Sequence, residues 1–222
     1  MVDKVKIKEI FTSIQGEGPF IGYKQLFIRF CGCNLTCNYC DTDYRTVDST
    51  EYRLCEIVEI VKQNLNCHSV SLTGGEPLLN AGFLKEFLPQ CPLPIYLETN
   101  ATLAGELGEI IDYVDYISAD IKLASCTGGN DLFTEHDRFF TVASHKILFA
   151  KIVFDSNISD YEIMQCAKLG AKYNIELILQ PMMEEDKLSI SQEFINEILD
   201  KFLKQYKKVR LIPQMHKFLN VR

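Results

Sequence analysis

Apolar residues recur along the chain in short dense runs, and between the runs they recur at helical spacing. The runs at residues 6–11, 25–30, 69–73, 95–98, 116–121, 147–154, 176–179 and 209–212 are rich in Ile, Val, Leu, Phe and Tyr and predict strands. Several are nearly continuous, the pattern of parallel strands covered on both faces. Helices are predicted over 56–65, 83–88, 103–112, 160–173 and 191–205. In the last, Phe194, Ile195, Ile198, Leu199, Phe202 and Leu203 share one helical face. Repeated βα units predict an α/β fold with a mostly parallel sheet. The 222 residues fall short of a closed (β/α)8 barrel of ~250, so a partial, open (β/α) barrel is expected, one domain over 1–222.

Ligands of such sheets gather at the carboxyl ends of the strands. Thr73-Gly74-Gly75-Glu76-Pro77 ends one predicted strand and Glu98-Thr99-Asn100 another. Ser118 to Lys122 closes a third and Gln180-Pro181 a fourth. Polar residues are thereby expected along one rim.

Hydrophobic residues make up 47% and charged residues 24%, a globular balance that excludes a disordered or coiled-coil chain. The net charge of -7 lacks the global basic field of a dedicated nucleic-acid binder. No apolar run approaches the ~20 residues of a membrane-spanning helix. The charged start Met1-Val2-Asp3-Lys4-Val5-Lys6 does not resemble a secretory signal, so a reducing, cytoplasmic setting is expected. There, nine cysteines point to metal or redox chemistry rather than disulfides.

Four of the nine lie within Cys31-Gly32-Cys33-Asn34-Leu35-Thr36-Cys37-Asn38-Tyr39-Cys40, directly after a predicted strand. Thiolates this dense can wrap one soft metal centre from a single loop. Zinc sites commonly use two separated pairs, and no second pair follows. Cys33, Cys37 and Cys40 form C-x3-C-x2-C, which can hold three irons of a [4Fe–4S] cluster and leave the fourth open. Cys31, two residues from Cys33, is awkwardly placed as a further ligand. A structural zinc knot or plain buried thiols remain alternative readings of the loop. Cys55, Cys67, Cys91, Cys126 and Cys166 are isolated and read as small buried hydrophobes.

The cysteine spacing, with Gly74-Gly75-Glu76-Pro77 one βα unit downstream, resembles the radical S-adenosylmethionine (SAM) superfamily. Three more segments and one arginine narrow the resemblance. They are Ser13-Ile14-Gln15-Gly16-Glu17-Gly18, Cys40-Asp41-Thr42, Gln214-Met215-His216-Lys217, and Arg29 in the strand before the cysteines. Together they look like the 7-carboxy-7-deazaguanine synthase family of the queuosine and archaeosine pathways, from about residue 6 to the end of the chain.

The resemblance implies a [4Fe–4S] cluster on Cys33, Cys37 and Cys40, SAM chelating the open iron, and a magnesium ion at Thr42. A plain helix N-cap is the alternative for Thr42. Ile14, Gln15, Gly16 and Glu17 would line a pterin pocket. Arg29 would fork onto the substrate carboxylate, Thr73 would reach the substrate, and the terminal carboxylate of Arg222 would return to it. Glu17, Arg29 and His216 would serve the chemistry, although Glu17 in a plain turn and His216 at the surface are the bland readings. Gly74, Gly75, Glu76, Thr99, Ser118, Ala119, Asp120, Gln180 and Pro181 would cradle SAM.

The implied reaction begins when a flavodoxin- or ferredoxin-like donor supplies one electron and SAM is cleaved. The resulting 5′-deoxyadenosyl radical abstracts hydrogen from C6 of 6-carboxy-5,6,7,8-tetrahydropterin. Ring contraction with loss of ammonia then gives 7-carboxy-7-deazaguanine. A homodimer acting on this small molecule, with neither nucleic acid nor membrane as partner, is expected. Two segments depart from the family. Ser118-Ala119-Asp120-Ile121-Lys122 replaces Ser-Pro-Lys, and Ala101 stands where a glycine is usual, a change able to shift the backbone beside SAM. Asp-x-Lys also occurs in glycyl-radical activating enzymes, the rival enzyme reading. A non-catalytic metal-binding module is the rival outside enzymes.

Overall fold

The computed structural model describes residues 2–40, 42–184 and 187–221. The elements in chain order begin with β1 (Lys4–Ile14), β2 (Lys24–Phe30), β3 (Thr50–Arg53), α1 (Leu54–Lys62), β4 (Ser69–Gly74), α2 (Ala81–Phe87) and β5 (Ile95–Thr99). Next come α3 (Ala104–Ile110), β6 (Tyr116–Asp120), α4 (Ala124–Thr127), α5 (Phe133–Ala143), β7 (Ile147–Phe154), α6 (Asp160–Tyr173) and β8 (Glu176–Pro181). The remainder is β9 (Met183–Glu184), β10 (Lys187–Leu188), α7 (Gln192–Gln205), β11 (Val209–Leu211) and α8 (Met215–Leu219).

One sheet runs in the order β11-β8-β7-β6-β5-β4-β2-β1-β3 and is open, with β11 and β3 at its edges. From β2 through β11 every neighbouring pair is parallel. β1 pairs antiparallel with β2 and with β3. The partial, open (β/α) barrel is thus the observed architecture, with an antiparallel margin.

The parity of each strand explains both its core and its site. One set packs under the helices: Leu26, Ile28 and Phe30; Val70 and Leu72; Ile95 and Leu97; Ala150, Ile152 and Phe154; Leu177 and Leu179. The alternate set faces the barrel interior. At the amino ends of the strands it is aromatic and aliphatic, with Tyr96, Phe149 and Ile178 clustered around Phe20 and Tyr116. Towards the carboxyl ends it turns polar, with Arg29, Thr73, Glu98, Asp120, Lys151 and Gln180 along one cavity.

α6 ends as predicted because Ser159 caps its start in a capping box with Glu162, and Asn174 closes it in the left-handed region (φ 55). α5 was not predicted. Its buried stripe is His136, Phe139, Phe140 and Ala143, and the histidine hides the first apolar position among Glu135, Asp137 and Arg138. β3 was also missed, being four mostly exposed polar residues on an edge. No helix follows Thr42 closely enough for it to be an N-cap; the next element is β3. Among the isolated cysteines, Cys67, Cys126 and Cys166 are buried and Cys91 partly so. Cys55 is exposed on the first turn of α1, which corrects its reading as a buried hydrophobe.

Among the described residues no helix is long and apolar enough to cross a membrane.

Candidate active site

A cavity of about 460 Å³ opens at the carboxyl ends of the strands, within the ~300–1,000 Å³ common for ligand pockets. Its wall brings together Cys33, Cys37, Cys40 and Thr42 from the β2–β3 connection and Ile14, Gln15, Gly16 and Glu17 from the end of β1 and its turn. Arg29, Thr73, Gly74, Gly75, Thr99, Asp120, Gln180 and His216 complete the predicted residues found there. Glu76, Ser118, Ala119 and Pro181 are buried outside this wall. Asp41 and Arg222 lie outside the described residues.

The three cysteines of C-x3-C-x2-C carry free thiols on one wall, whereas Cys31 is buried away from it. Among the described residues no three acidic, histidine or cysteine side chains converge on a single ion. Ligands of three different irons in a cluster have no need to converge in that way. Burial pushes the thiols of Cys33 and Cys37 up, so they stay protonated until a metal displaces the proton. Three accessible soft donors without disulfides therefore fit a cluster.

The loop that carries them is pinned at several points. Asn38 donates its backbone N–H to the Thr127 carbonyl at 3.1 Å, and Gly32 donates to Tyr44 at 2.8 Å. Asn100 Nδ2 donates to Asn34 Oδ1 at 2.8 Å, and Asn34 Nδ2 donates to Thr102 Oγ1 at 2.9 Å. Gly75 lies directly under the loop. A Cβ there would stand 1.8 Å from the Gly32 carbonyl oxygen, so only glycine permits this approach.

Glu76 acts behind the wall. Its carboxylate accepts from Leu78 N at 3.1 Å, Asn100 N at 2.8 Å and Thr99 Oγ1 at 2.9 Å. Burial pushes its carboxyl up to about 7 in spite of those donors. Its visible role is to tie the Gly-Gly turn to the end of β5. Ala101 holds the left-handed conformation at φ 56, a region that a glycine adopts freely and an alanine rarely does. His136 secures it. Its Nε2 accepts from Lys122 N at 3.0 Å, so Nδ1 carries the proton and donates to the Ala101 carbonyl at 3.0 Å. Burial lowers the His136 pKa to about 4, which keeps the ring neutral in this bridging role.

The β1–β2 turn passes along the barrel interior. Phe20 anchors it among Tyr96, Tyr116 and Phe149 at the amino ends of the strands. Gln15 Nε2 donates to Glu98 Oε1 at 2.8 Å and to Gln25 Oε1 at 2.9 Å. Glu98 also accepts from Ser71 and Thr73. Glu17 forms an ion pair with Lys151 and accepts from Gln180 Nε2 at 3.2 Å and Gln214 Nε2 at 2.8 Å. Burial works against its charge, but Lys151 and Gln214 outweigh it and bring the pKa to about 2. A carboxyl depressed below its unfolded value of 4.5 adds stability above that pH, and the contribution is lost as pH falls through about 2.

Asp120 meets Lys122 at 2.9 Å and Lys151 at 3.2 Å. Burial opposes its ionisation, but the two ammonium groups hold its pKa below the usual carboxylate range. Lys122 also donates to Tyr39 OH at 3.2 Å, inside the cysteine loop. Arg29 donates through Nε to Glu9 at 2.7 Å and through a terminal nitrogen to Thr42 Oγ1 at 3.2 Å, with its guanidinium over the Phe11 ring. Gln180 Oε1 is buried without a protein donor among the described residues, an acceptor that a bound ligand would satisfy. Glu9 and Lys151 are site residues that the sequence reading missed, and Glu98, expected on the polar rim, had no role of its own there.

α8 packs over the β1–β2 turn. Met215 N donates to the Gly16 carbonyl at 2.8 Å, and a Cβ on Gly16 would lie 2.5 Å from His216 Cβ. Gly16→Ala is therefore expected to lift Gln214 and His216 off the site. Proteolysis of the C-terminal segment should accelerate and activity should fall at least tenfold, with the melting temperature within a few degrees of wild type.

The Radical SAM superfamily model matches residues 27–147, from β2 through the thiol loop to the start of β7, and that is the class of protein the fold and site define. A 7-carboxy-7-deazaguanine synthase from Geobacter sulfurreducens is 37% identical over 241 residues, covering 96% of each chain. One from Archaeoglobus fulgidus is 34% identical over 99% of this chain and 100% of its own. The crystal structure of QueE from Escherichia coli superposes with a TM-score of 0.67 over 96% of this chain and 95% of its own. At 19% identity it supports the fold. The chain belongs to the 7-carboxy-7-deazaguanine synthase family of radical SAM enzymes. A [4Fe–4S] cluster and SAM are accordingly its cofactors.

Proposed function

We propose that this chain converts 6-carboxy-5,6,7,8-tetrahydropterin to 7-carboxy-7-deazaguanine and ammonia, working as one domain over residues 1–222. Substrate and product differ by one ammonia, so the conversion is redox-neutral and SAM can be regenerated. The observation that carries this reading is the placement of Glu17 and Arg29 on the same cavity wall as the three thiols. Glu17 is a fixed anion that suits the N–H edge of a pterin. Arg29 suits a carboxylate through its planar fork.

When bound, the cluster and SAM supply a 5′-deoxyadenosyl radical. Cys33, Cys37 and Cys40 would hold the cluster. Gly74, Gly75, Thr99, Asp120 and Gln180 would line the SAM side, with Glu76, Ser118, Ala119 and Pro181 supporting from behind. Ile14, Gln15, Gly16 and Thr73 would frame the pterin. The packing of α8 and His216 over Gly16 restricts water, which a primary carbon radical demands. Thr42, already an acceptor for Arg29, would meet a magnesium ion beside the substrate carboxylate. The reading also includes a cytoplasmic enzyme, a homodimer, and a flavodoxin- or ferredoxin-like donor of one electron.

Substrate deuterated at C6 tests the hydrogen abstraction. Label should appear in 5′-deoxyadenosine or in recovered SAM, and unlabelled 5′-deoxyadenosine and SAM after product has formed would contradict the reading. Thr42→Ala should flatten the magnesium dependence of turnover while leaving the cluster spectrum unchanged. An undiminished magnesium response would remove Thr42 from the ion.

A further inference from the structure

Lys151 lies in the middle of β7, nearly buried, with its ammonium between two carboxylates from different parts of the fold. Glu17 comes from the β1–β2 turn and Asp120 from the end of β6. A buried cation needs a partner, and one carboxylate would suffice. Here two share it, and under the proposed function they face different ligands: Glu17 the pterin and Asp120 SAM. Asp120 also binds Lys122, whose ammonium reaches Tyr39 in the cysteine loop. Polar contacts therefore run without a break from Tyr39 through Lys122, Asp120 and Lys151 to Glu17 and on to Gln214.

We propose that Lys151 is a positioning residue that couples SAM binding to pterin binding by dividing its charge between Asp120 and Glu17. The inference rests on the assignment of the two ligand sites under the proposed function. A ribose hydroxyl donating to Asp120 satisfies part of that carboxylate and leaves more of the ammonium to Glu17. Glu17 is then held more firmly before the pterin arrives, so ordering it costs less on binding. The converse holds by linkage, because the two ligands must raise each other's affinity by one common factor.

The test is anaerobic titration calorimetry on cluster-loaded protein kept oxidised, so that no turnover occurs. 6-Carboxy-5,6,7,8-tetrahydropterin is titrated with and without saturating SAM, and SAM with and without the pterin. Wild type should show the same several-fold gain in both directions. Lys151→Arg should retain the gain, and Lys151→Met should reduce it to about one. Lys151→Met leaves two carboxylates without their shared cation and can fail to fold. Asp120→Asn keeps the Lys151–Glu17 pair and should lose the gain as well. A gain undiminished in either Lys151→Met or Asp120→Asn overturns the inference, as does wild type that binds both ligands without mutual effect. Wild type that binds SAM but no pterin overturns the substrate reading, and the inference with it.

Discussion

Cys37→Ala is expected to abolish SAM cleavage, bringing 5′-deoxyadenosine to the level of a no-enzyme control. Cys33, Cys37 and Cys40 each present a free thiol to the cavity, and Cys31 is buried away from it. Nothing among the described residues stands ready to replace the lost sulfur, since the remaining cysteines lie off the cavity wall. Cys37 is only partly buried and takes part in no disulfide, so the fold should survive its truncation. Reconstituted variant protein should lack the broad visible absorbance of a [4Fe–4S] cluster while keeping wild-type circular dichroism. Wild-type rates of 5′-deoxyadenosine formation would remove Cys37 from the ligand set.

Arg29→Ala is expected to weaken pterin binding by about 2–5 kcal/mol, the usual cost of truncating one partner of a desolvated charge pair. That corresponds to roughly 30-fold to several-thousand-fold in affinity. The side chain is pre-oriented, which favours the large end of that range. Glu9 holds Nε from the neighbouring position on β1, Phe11 lies under the guanidinium, and Thr42 accepts from a terminal nitrogen. Arg29→Lys should recover little, because an ammonium cannot reproduce a planar fork held by three neighbours. SAM cleavage without product should persist in Arg29→Ala, since the thiols are untouched. Unchanged pterin affinity in Arg29→Ala would place the substrate carboxylate elsewhere.

The parallel strands were legible because their outward faces are almost purely apolar; 147–154 and 160–173 match the observed bounds. β1 is different. The apolar-polar alternation of Lys4-Val5-Lys6-Ile7 belongs to an antiparallel margin, and strand direction follows from pairing, which a run of residue types does not specify. α5 stayed hidden because a buried, doubly hydrogen-bonded histidine occupies one place in its apolar stripe.

Site residues joined by local spacing were found: the cysteines, the Gly-Gly turn and the Gln-Gly-Glu turn. Those defined by long-range pairing were not. Glu9 is recognisable only from its register with Arg29, and the role of Glu98 only from its donors Gln15, just past β1, and Thr73 on β4. Lys151 did leave a trace, as the single charge within Ile147–Phe154. A cation inside a strand covered on both faces demands a carboxylate, but only the fold could show that Glu17 and Asp120 supply it.

Product analysis under anaerobic conditions tests the central claim most directly. Cluster-loaded protein would receive SAM, reductant, magnesium and 6-carboxy-5,6,7,8-tetrahydropterin, and the mixture would be resolved by mass spectrometry. 7-Carboxy-7-deazaguanine should accumulate with ammonia in equal amount and exceed any 5′-deoxyadenosine released. 5′-Deoxyadenosine formed without the deazaguanine, by protein with an intact cluster spectrum, would contradict the ring contraction and assign the cavity to another substrate.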